Sequence, residues 1–403
     1  MSGNSAQTLG RAEATSGEAR LVSALVSLLT LGLVDNQLIA PLLPEIASSF
    51  GTGEAAVGRT VSGYALAAAL AALLIGPFSD VSGRKRFLVL AGVGFSLSSG
   101  LVAFADTFAV FTIARVLTGA SAGVISALVV AGIADLVPYE RRGRVMSWVA
   151  AAYFAAPILG VPLGSWAADR MGWRTNYAVF ASAGVLCAWF IQAWFREEPV
   201  TGTPSAKRWP RYWAFLSARS TAAGALSAFF VTGGLAGFLL FLGAYLRERF
   251  SLSLTEVGLV FLLCGLASLA GAFLAGGISD RIGKLRVALT GSLVLGAAVV
   301  LVPYAAGFTL YALLSLVGLS AAARVAPLQS LVTELVSKEE RGSYVAVRNT
   351  LSQCGMAVAA ALGASLYESS GFTKVCWFTA GFSFLAFALL MLVDEPRRAE
   401  HLG

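Results

Sequence analysis

Long apolar runs broken by short polar and basic clusters set the pattern of this chain. An α-helix needs about 20 apolar residues to cross a bilayer, and runs of that length lie at 21–45, 54–78, 86–106, 108–134, 144–168 and 173–195. A polar, basic connector at 196–219 separates these six from six more at 220–246, 254–278, 284–304, 306–333, 343–367 and 372–393. The pattern predicts an all-α membrane protein with 12 transmembrane helices in two six-helix bundles, 21–195 and 220–393. Residues 1–20 are polar and small and carry no apolar signal-peptide core, so they are expected to form a disordered cytoplasmic tail, with a second tail at 394–403.

The two bundles are copies of one half. Residues 76–86 read GPFSDVSGRKR and residues 276–286 read GGISDRIGKLR, so that Gly76, Ser79, Asp80 and Gly83 recur as Gly276, Ser279, Asp280 and Gly283. DLVPYERRG, ending at Gly143, recurs as ELVSKEERG, ending at Gly342, and Gly164 and Gly172 recur as Gly363 and Gly371. A period near 200 residues is far longer than any solenoid repeat. Duplicated halves within a membrane protein point to a transporter with a central site at the repeat interface.

Composition sharpens this. Apolar residues make up 57% and charged residues 13% of the 403, where a soluble domain carries about 25% charge. The net charge of +7 would suit a nucleic-acid binder, but its placement is topological. Twenty of the 29 Lys and Arg fall in the tails and in the loops between spans 2–3, 4–5, 6–7, 8–9 and 10–11, against six on the other side. The positive-inside bias then puts both termini in the cytoplasm and the protein in the plasma (inner) membrane, and it removes nucleic acid from the expected partners. The four cysteines are isolated, so neither a disulfide framework nor a metal site is expected, and no cofactor motif is present. The single histidine, His401, sits in the tail, so a coupled proton would have to ride on a carboxylate.

The repeated stretch Gly76-x-x-Ser79-Asp80-x-x-Gly83-Arg84-Lys85-Arg86 resembles the signature loop of the major facilitator superfamily, and its echo at Asp280 and Gly283 fits the same pattern. Val81 departs from it, since the family often has a basic residue there. The resemblance implies the major facilitator fold, two pseudo-symmetric bundles that work as a monomer. In it, Gly76 and Gly83 let helices approach and turn, Asp80 meets the start of span eleven near Gly342, and Arg84 pairs with Asp135. Such contacts would gate one side, although Arg84, Lys85 and Arg86 would equally serve topology alone.

Charges inside spans cost at least about 2.5–3.5 kcal/mol each and need a reason. Asp35, in span one, is the one carboxylate well away from a span end, and Arg115 in span four lies at similar depth. Burial favours the neutral acid and a neighbouring guanidinium favours the carboxylate, so making and breaking this pair would move a proton. A permanent structural pair and direct substrate contact are the alternatives. The run from Arg115 to Gly119 resembles a motif of proton-coupled drug antiporters. The stretch from Ala155 to Gly164 resembles their Gly-Pro-x-x-Gly element, with Pro157 and Gly160 in place but Ala156 for the first glycine. Arg324 has no basic counterpart in the first half and is read either as an anion contact or as a partner for Glu334; Arg348 is expected to snorkel to the surface. Asn36, Gln37, Trp148, Tyr153, Gln329, Asn349 and Gln353 are further candidates for a cavity lining.

No metalloprotease, serine-hydrolase or Walker A motif occurs, so an enzyme or an ATP-driven pump is not expected. The leading expectation is a secondary active transporter of the multidrug type, moving a small apolar or cationic compound outward against protons by alternating access. The alternative is an organic anion or a sugar.

Overall fold

The computed structural model describes residues 3–137, 139–195, 215–337 and 340–393, with the backbone alone at 3–18, 77, 80, 81, 134–136, 139 and 140. Most of the connector and the final tail, 196–214 and 394–403, lie outside the described residues. In chain order the first half comprises α1 (Gly3–Ser49), α2 (Glu54–Ser82), α3 (Arg84–Ala103), α4 (Phe108–Leu136), α5 (139–171) and α6 (Trp173–Trp194). The second comprises α7 (Arg219–Phe250), α8 (Leu254–Ile282), α9 (Lys284–Leu301) and α10 (307–333), the last interrupted at Arg324. One further helix, Arg341–Leu390, has 50 residues, about 75 Å if straight and more than twice a bilayer core. It breaks at Gly371 (φ 72°, ψ −175°) into α11 (341–370) and α12 (372–390), which completes the twelve expected spans.

One feature of the first half departs from expectation. The tail expected to be disordered is a helical extension of α1 from Gly3. Its Ala, Leu, Gln, Glu and Arg residues are good helix formers, and adding them to an existing span needs no new nucleus.

The duplication extends to backbone conformation. Gly83 (φ 89°) and Gly283 (φ 100°) turn α2 into α3 and α8 into α9, while Gly172 (φ 82°) and Gly371 (φ 72°) turn the fifth span into the sixth and the eleventh into the twelfth. At these angles a β-carbon would be strained, which is why glycine recurs in both copies. Gly76 does a different job from the one expected of it. A β-carbon there meets nothing within 4 Å, so it permits no close approach; its carbonyl instead accepts a bond from the Ser79 hydroxyl at 2.7 Å.

Helix pairs in lipid associate through close packing of small residues. A β-carbon on Gly119 of α4 would lie 2.3 Å from the carbonyl oxygen of Tyr64 on α2, and one on Gly123 would lie 2.2 Å from that of Ala68. The second half repeats the contact: a β-carbon on Gly318 of α10 would lie 2.5 Å from the carbonyl oxygen of Cys264 on α8.

The halves meet at the end where α1 passes to α2 and α7 to α8. Arg247 of α7 pairs with Glu45 of α1 at 2.7 Å, Arg59 of α2 pairs with Glu368 of α11, and Thr255 of α8 donates to Asp169 of α5 at 2.6 Å. Glycines bring the backbones together beneath these contacts. Gly243 abuts Ala40 and Pro41, Gly258 abuts Pro162 and Ser165, and Gly265 abuts Pro157 and Ile158.

Candidate functional site

Asp35 and Arg115 meet. Arg115 Nη1 donates to Asp35 Oδ1 at 2.6 Å, and neither side chain has any exposed surface. Local packing explains the geometry. Thr107 caps the start of α4 by accepting from the Val110 amide at 3.3 Å, which places Arg115 two turns into the span. One turn further, the Gly119 contact holds α2 against α4, so the Tyr64 ring lies over the guanidinium with its centroid 4.7 Å away. Tyr177 of α6 covers it from another side at 5.8 Å.

The position of Asp35 is set by α5. A β-carbon on Gly160 would lie 2.3 Å from Val34, and one on Gly164 would lie 2.7 Å from Leu38, so α5 grips α1 on both sides of the acid. Asn176 Nδ2 bonds the Gly164 carbonyl at 3.0 Å and fixes α6 to the same place. The proline element of span five forms a π-helical turn, Ala156–Gly160, between helices Tyr139–Ala155 and Val161–Met171. Insertions of this kind are frequent at functional sites.

The pair is monodentate and under-satisfied. Asp35 Oδ2, Arg115 Nε, Arg115 Nη2 and the Tyr177 hydroxyl are buried without a hydrogen-bond partner. A buried ion pair is stabilising only when geometry and additional hydrogen bonds offset desolvation. This one has the short contact, with Tyr64 beside the carboxylate, and few other surrounding bonds.

The second half serves as an internal control. At the repeat spacing, Leu235 stands for Asp35, Leu314 for Arg115 and Cys264 for Tyr64. The Gly318–Cys264 approach is nevertheless the same as the Gly119–Tyr64 approach. The helix packing therefore does not require the charges.

Two expectations in the second half are corrected. Arg324 does not pair with Glu334, which binds Lys284 at 2.5 Å; Arg324 Nη2 donates to the Val231 carbonyl at 3.0 Å instead. Arg348 does not snorkel. It is 6% exposed and donates through Nε to the Gly224 carbonyl at 3.2 Å and through Nη1 to Gln329 Oε1 at 2.6 Å. Depth counted along the sequence gives the level of a side chain but not the direction it faces.

The other candidates are dispersed. Asn36 and Gln37 are half-buried on α1, with Asn36 next to Tyr64; Tyr153, Trp148 and Asn349 are exposed, and Gln353 is half-buried. Among the described residues no hydrogen bond joins the side chains of Tyr153, Asn349 or Gln353 to another group. In the repeated loop, the side chains of Asp80 and Asp135 lie outside the described residues, and with them the expected contacts to α11 and to Arg84. Tyr64 and Tyr177, which complete the Arg115 environment, were not among the sequence candidates, because aromatic residues in a span carry no mark of function.

Comparison with known proteins places this architecture. The sequence model of the Major Facilitator Superfamily matches residues 25–242 and 224–403. The uncharacterized MFS-type transporter YceJ of Bacillus subtilis (strain 168) is 27% identical over 371 residues, 91% of this chain and 94% of the relative. The purine ribonucleoside efflux pump NepI of Shigella sonnei is 28% identical over 247 residues, 61% of this chain and 62% of the pump. Among solved structures, the human organic anion transporter MFSD10 (TETRAN) superposes with a TM-score of 0.70 at 24% identity, covering 93% of this chain and 99% of that one.

Proposed function

As this chain belongs to the Major Facilitator Superfamily, we propose that it is a secondary active transporter that exports a small organic compound in exchange for protons by alternating access. The carrying observation is the Asp35–Arg115 pair, fully buried at 2.6 Å yet with Asp35 Oδ2 and two guanidinium nitrogens unpartnered. A permanent brace would be expected in both copies of the repeat, and the second copy packs the same way with Leu235 and Leu314.

The pair is linked to the interface between the halves. Five residues along α1 from Asp35, Ala40 and Pro41 abut Gly243 of the other half, and the π turn that grips Val34 abuts Gly265. Rocking of the halves displaces α1 or α5, and with it one side of the pair. Separation leaves Asp35 to take a proton on a carboxylate oxygen; return of the guanidinium expels it. One carboxylate accounts for one proton per cycle.

The excess of Lys and Arg on one side supports cytoplasmic termini and a plasma-membrane location. In that orientation the joined end is the outer one. The reading of export rests on the resemblance around Arg115–Gly119 and Ala155–Gly164, and a relative named as an efflux pump agrees with it. For cargo, the multidrug-type reading of an apolar or cationic compound would use Asp35 as a free acid, but its carboxylate is committed to Arg115 in this conformation. An organic anion is the second reading, favoured by two arginines of the second half that have no acidic partner among the described residues.

Proteoliposomes given a pH jump test the proposal. Substrate movement driven by the gradient, with counter-movement of protons, is the expected result. Passive ion current, or substrate movement indifferent to the gradient, would reject it.

A further inference from the structure

Arg115 is neutralised by Asp35, but the other two arginines inside the spans are not. Among the described residues no carboxylate forms an ion pair with Arg324 or Arg348. Both are held by carbonyls of α7: Arg348 by Gly224, with Gln329 as its second partner, and Arg324 by Val231. Carbonyl dipoles position a guanidinium without cancelling its charge. Arg324 is 1% exposed and still leaves Nε and Nη1 without any acceptor. A buried cation in this state is strongly destabilising unless something else supplies the negative charge.

The two arginines form a track. Gly224 and Val231 are seven residues apart on α7, two turns or about 10 Å. Gly224 is nearer the end opposite the joined one. Gln329, which holds Arg348, is exposed there, and so is Asn349, next to Arg348 on α11. Arg324 sits deeper, at the interruption of α10.

We propose that Arg348 and Arg324 form a two-step site for the carboxylate of an organic anion. This rests on the transporter reading above and names its substrate class. Arg348 and Gln329 receive the anionic group at the end opposite the joined one. Arg324 takes it two turns deeper, where its unused N–H groups supply the charge-assisted hydrogen bonds that a carboxylate needs. The first half carries no counterpart of either arginine, since Ile125 stands at the position of Arg324 and Val149 at that of Arg348. Anion recognition is therefore assigned to the second half and proton coupling to the first.

Three probes sharing one ring system separate charge from hydrophobicity: naphthoate, naphthylmethylammonium and naphthylmethanol. Each is added to the full-length protein in an uncharged detergent free of anionic lipid, and Tm and Kd are measured at neutral pH. Naphthoate is expected to raise Tm above the other two. Arg324→Gln and Arg348→Gln should each weaken it about tenfold, about 1.4 kcal/mol, with part of the affinity kept in Arg324→Lys. A naphthoate effect no larger than that of the alcohol or the ammonium overturns the site using the parent protein alone, whatever the variants' folding. Parent-like naphthoate binding in both Gln variants overturns it as well. Asp35→Asn should still bind naphthoate, and a parent protein that binds naphthoate but moves it without proton exchange counts against the coupling reading and leaves the anion site standing.

Discussion

Leu314 stands in the second half where Arg115 stands in the first, and the helix pair around each is closed by a glycine one turn further along, Gly318 against Cys264 and Gly119 against Tyr64. The same joint is thus built once with a charge and once without. This separates what the charge does for packing from what it does for transport.

Asp35→Asn keeps the shape of the side chain and removes its titration. Gradient-driven transport in proteoliposomes should fall to the passive leak, while exchange of labelled for unlabelled substrate without a gradient persists. Normal gradient-driven accumulation by this variant would show that Asp35 does not carry the proton.

Replacing both members of the pair by the residues of the other half gives a sharper result. Arg115→Leu alone leaves an unpaired buried acid and should cost about 3–5 kcal/mol, whereas Asp35→Leu with Arg115→Leu should recover most of that loss. Thermal unfolding in detergent measures it. A double variant as unstable as the single one would mean that the pair is a structural brace, and coupling would lose its main support.

Spans, duplication and the depth match of Asp35 with Arg115 were all legible in the sequence, because apolar length, repeat register and a scarce carboxylate are properties of the chain itself. Side-chain direction was not. Arg348 was expected at the surface by its position near a span end, yet it turns inward to Gly224 and Gln329. Glu334 was matched to Arg324 by proximity in sequence and is taken by Lys284, from a helix that a one-dimensional count cannot bring near. The contacts joining the halves were hidden for the same reason. Arg59 and Arg247 were counted for topology, and their partners Glu368 and Glu45 lie 309 and 202 residues away.

The two glycines of interest in the first half should respond unequally to a methyl group. Gly119→Ala would put a β-carbon 2.3 Å from a backbone oxygen that cannot move aside, and overpacking of this kind costs about 1–3 kcal/mol. Gly76→Ala meets nothing within 4 Å and should stay within about 0.5 kcal/mol of the parent. Tm values of the two variants test this, and equal losses would show that the α2–α4 contact is not as close as described.

The joined end should open when its polar contacts are cut. Arg59–Glu368 and Arg247–Glu45 are partly exposed pairs, with side-chain exposures of 47% and 61% in the first and 28% and 39% in the second, so each is worth no more than about 1 kcal/mol. Arg59→Ala with Arg247→Ala should therefore unfold nothing, yet shift the balance between closed and open by about 1 kcal/mol, roughly fivefold. Spin labels on the α1–α2 turn at Gly53 and the α7–α8 turn at Leu252 would read that shift as a growing long-distance population. Arg59→Glu alone should enlarge it, and Arg59→Glu with Glu368→Arg should reverse the enlargement, because the swap restores the attraction with its sense inverted. Unchanged distances in all three variants would leave glycine-mediated packing at Gly243, Gly258 and Gly265 as the contact that holds the halves together.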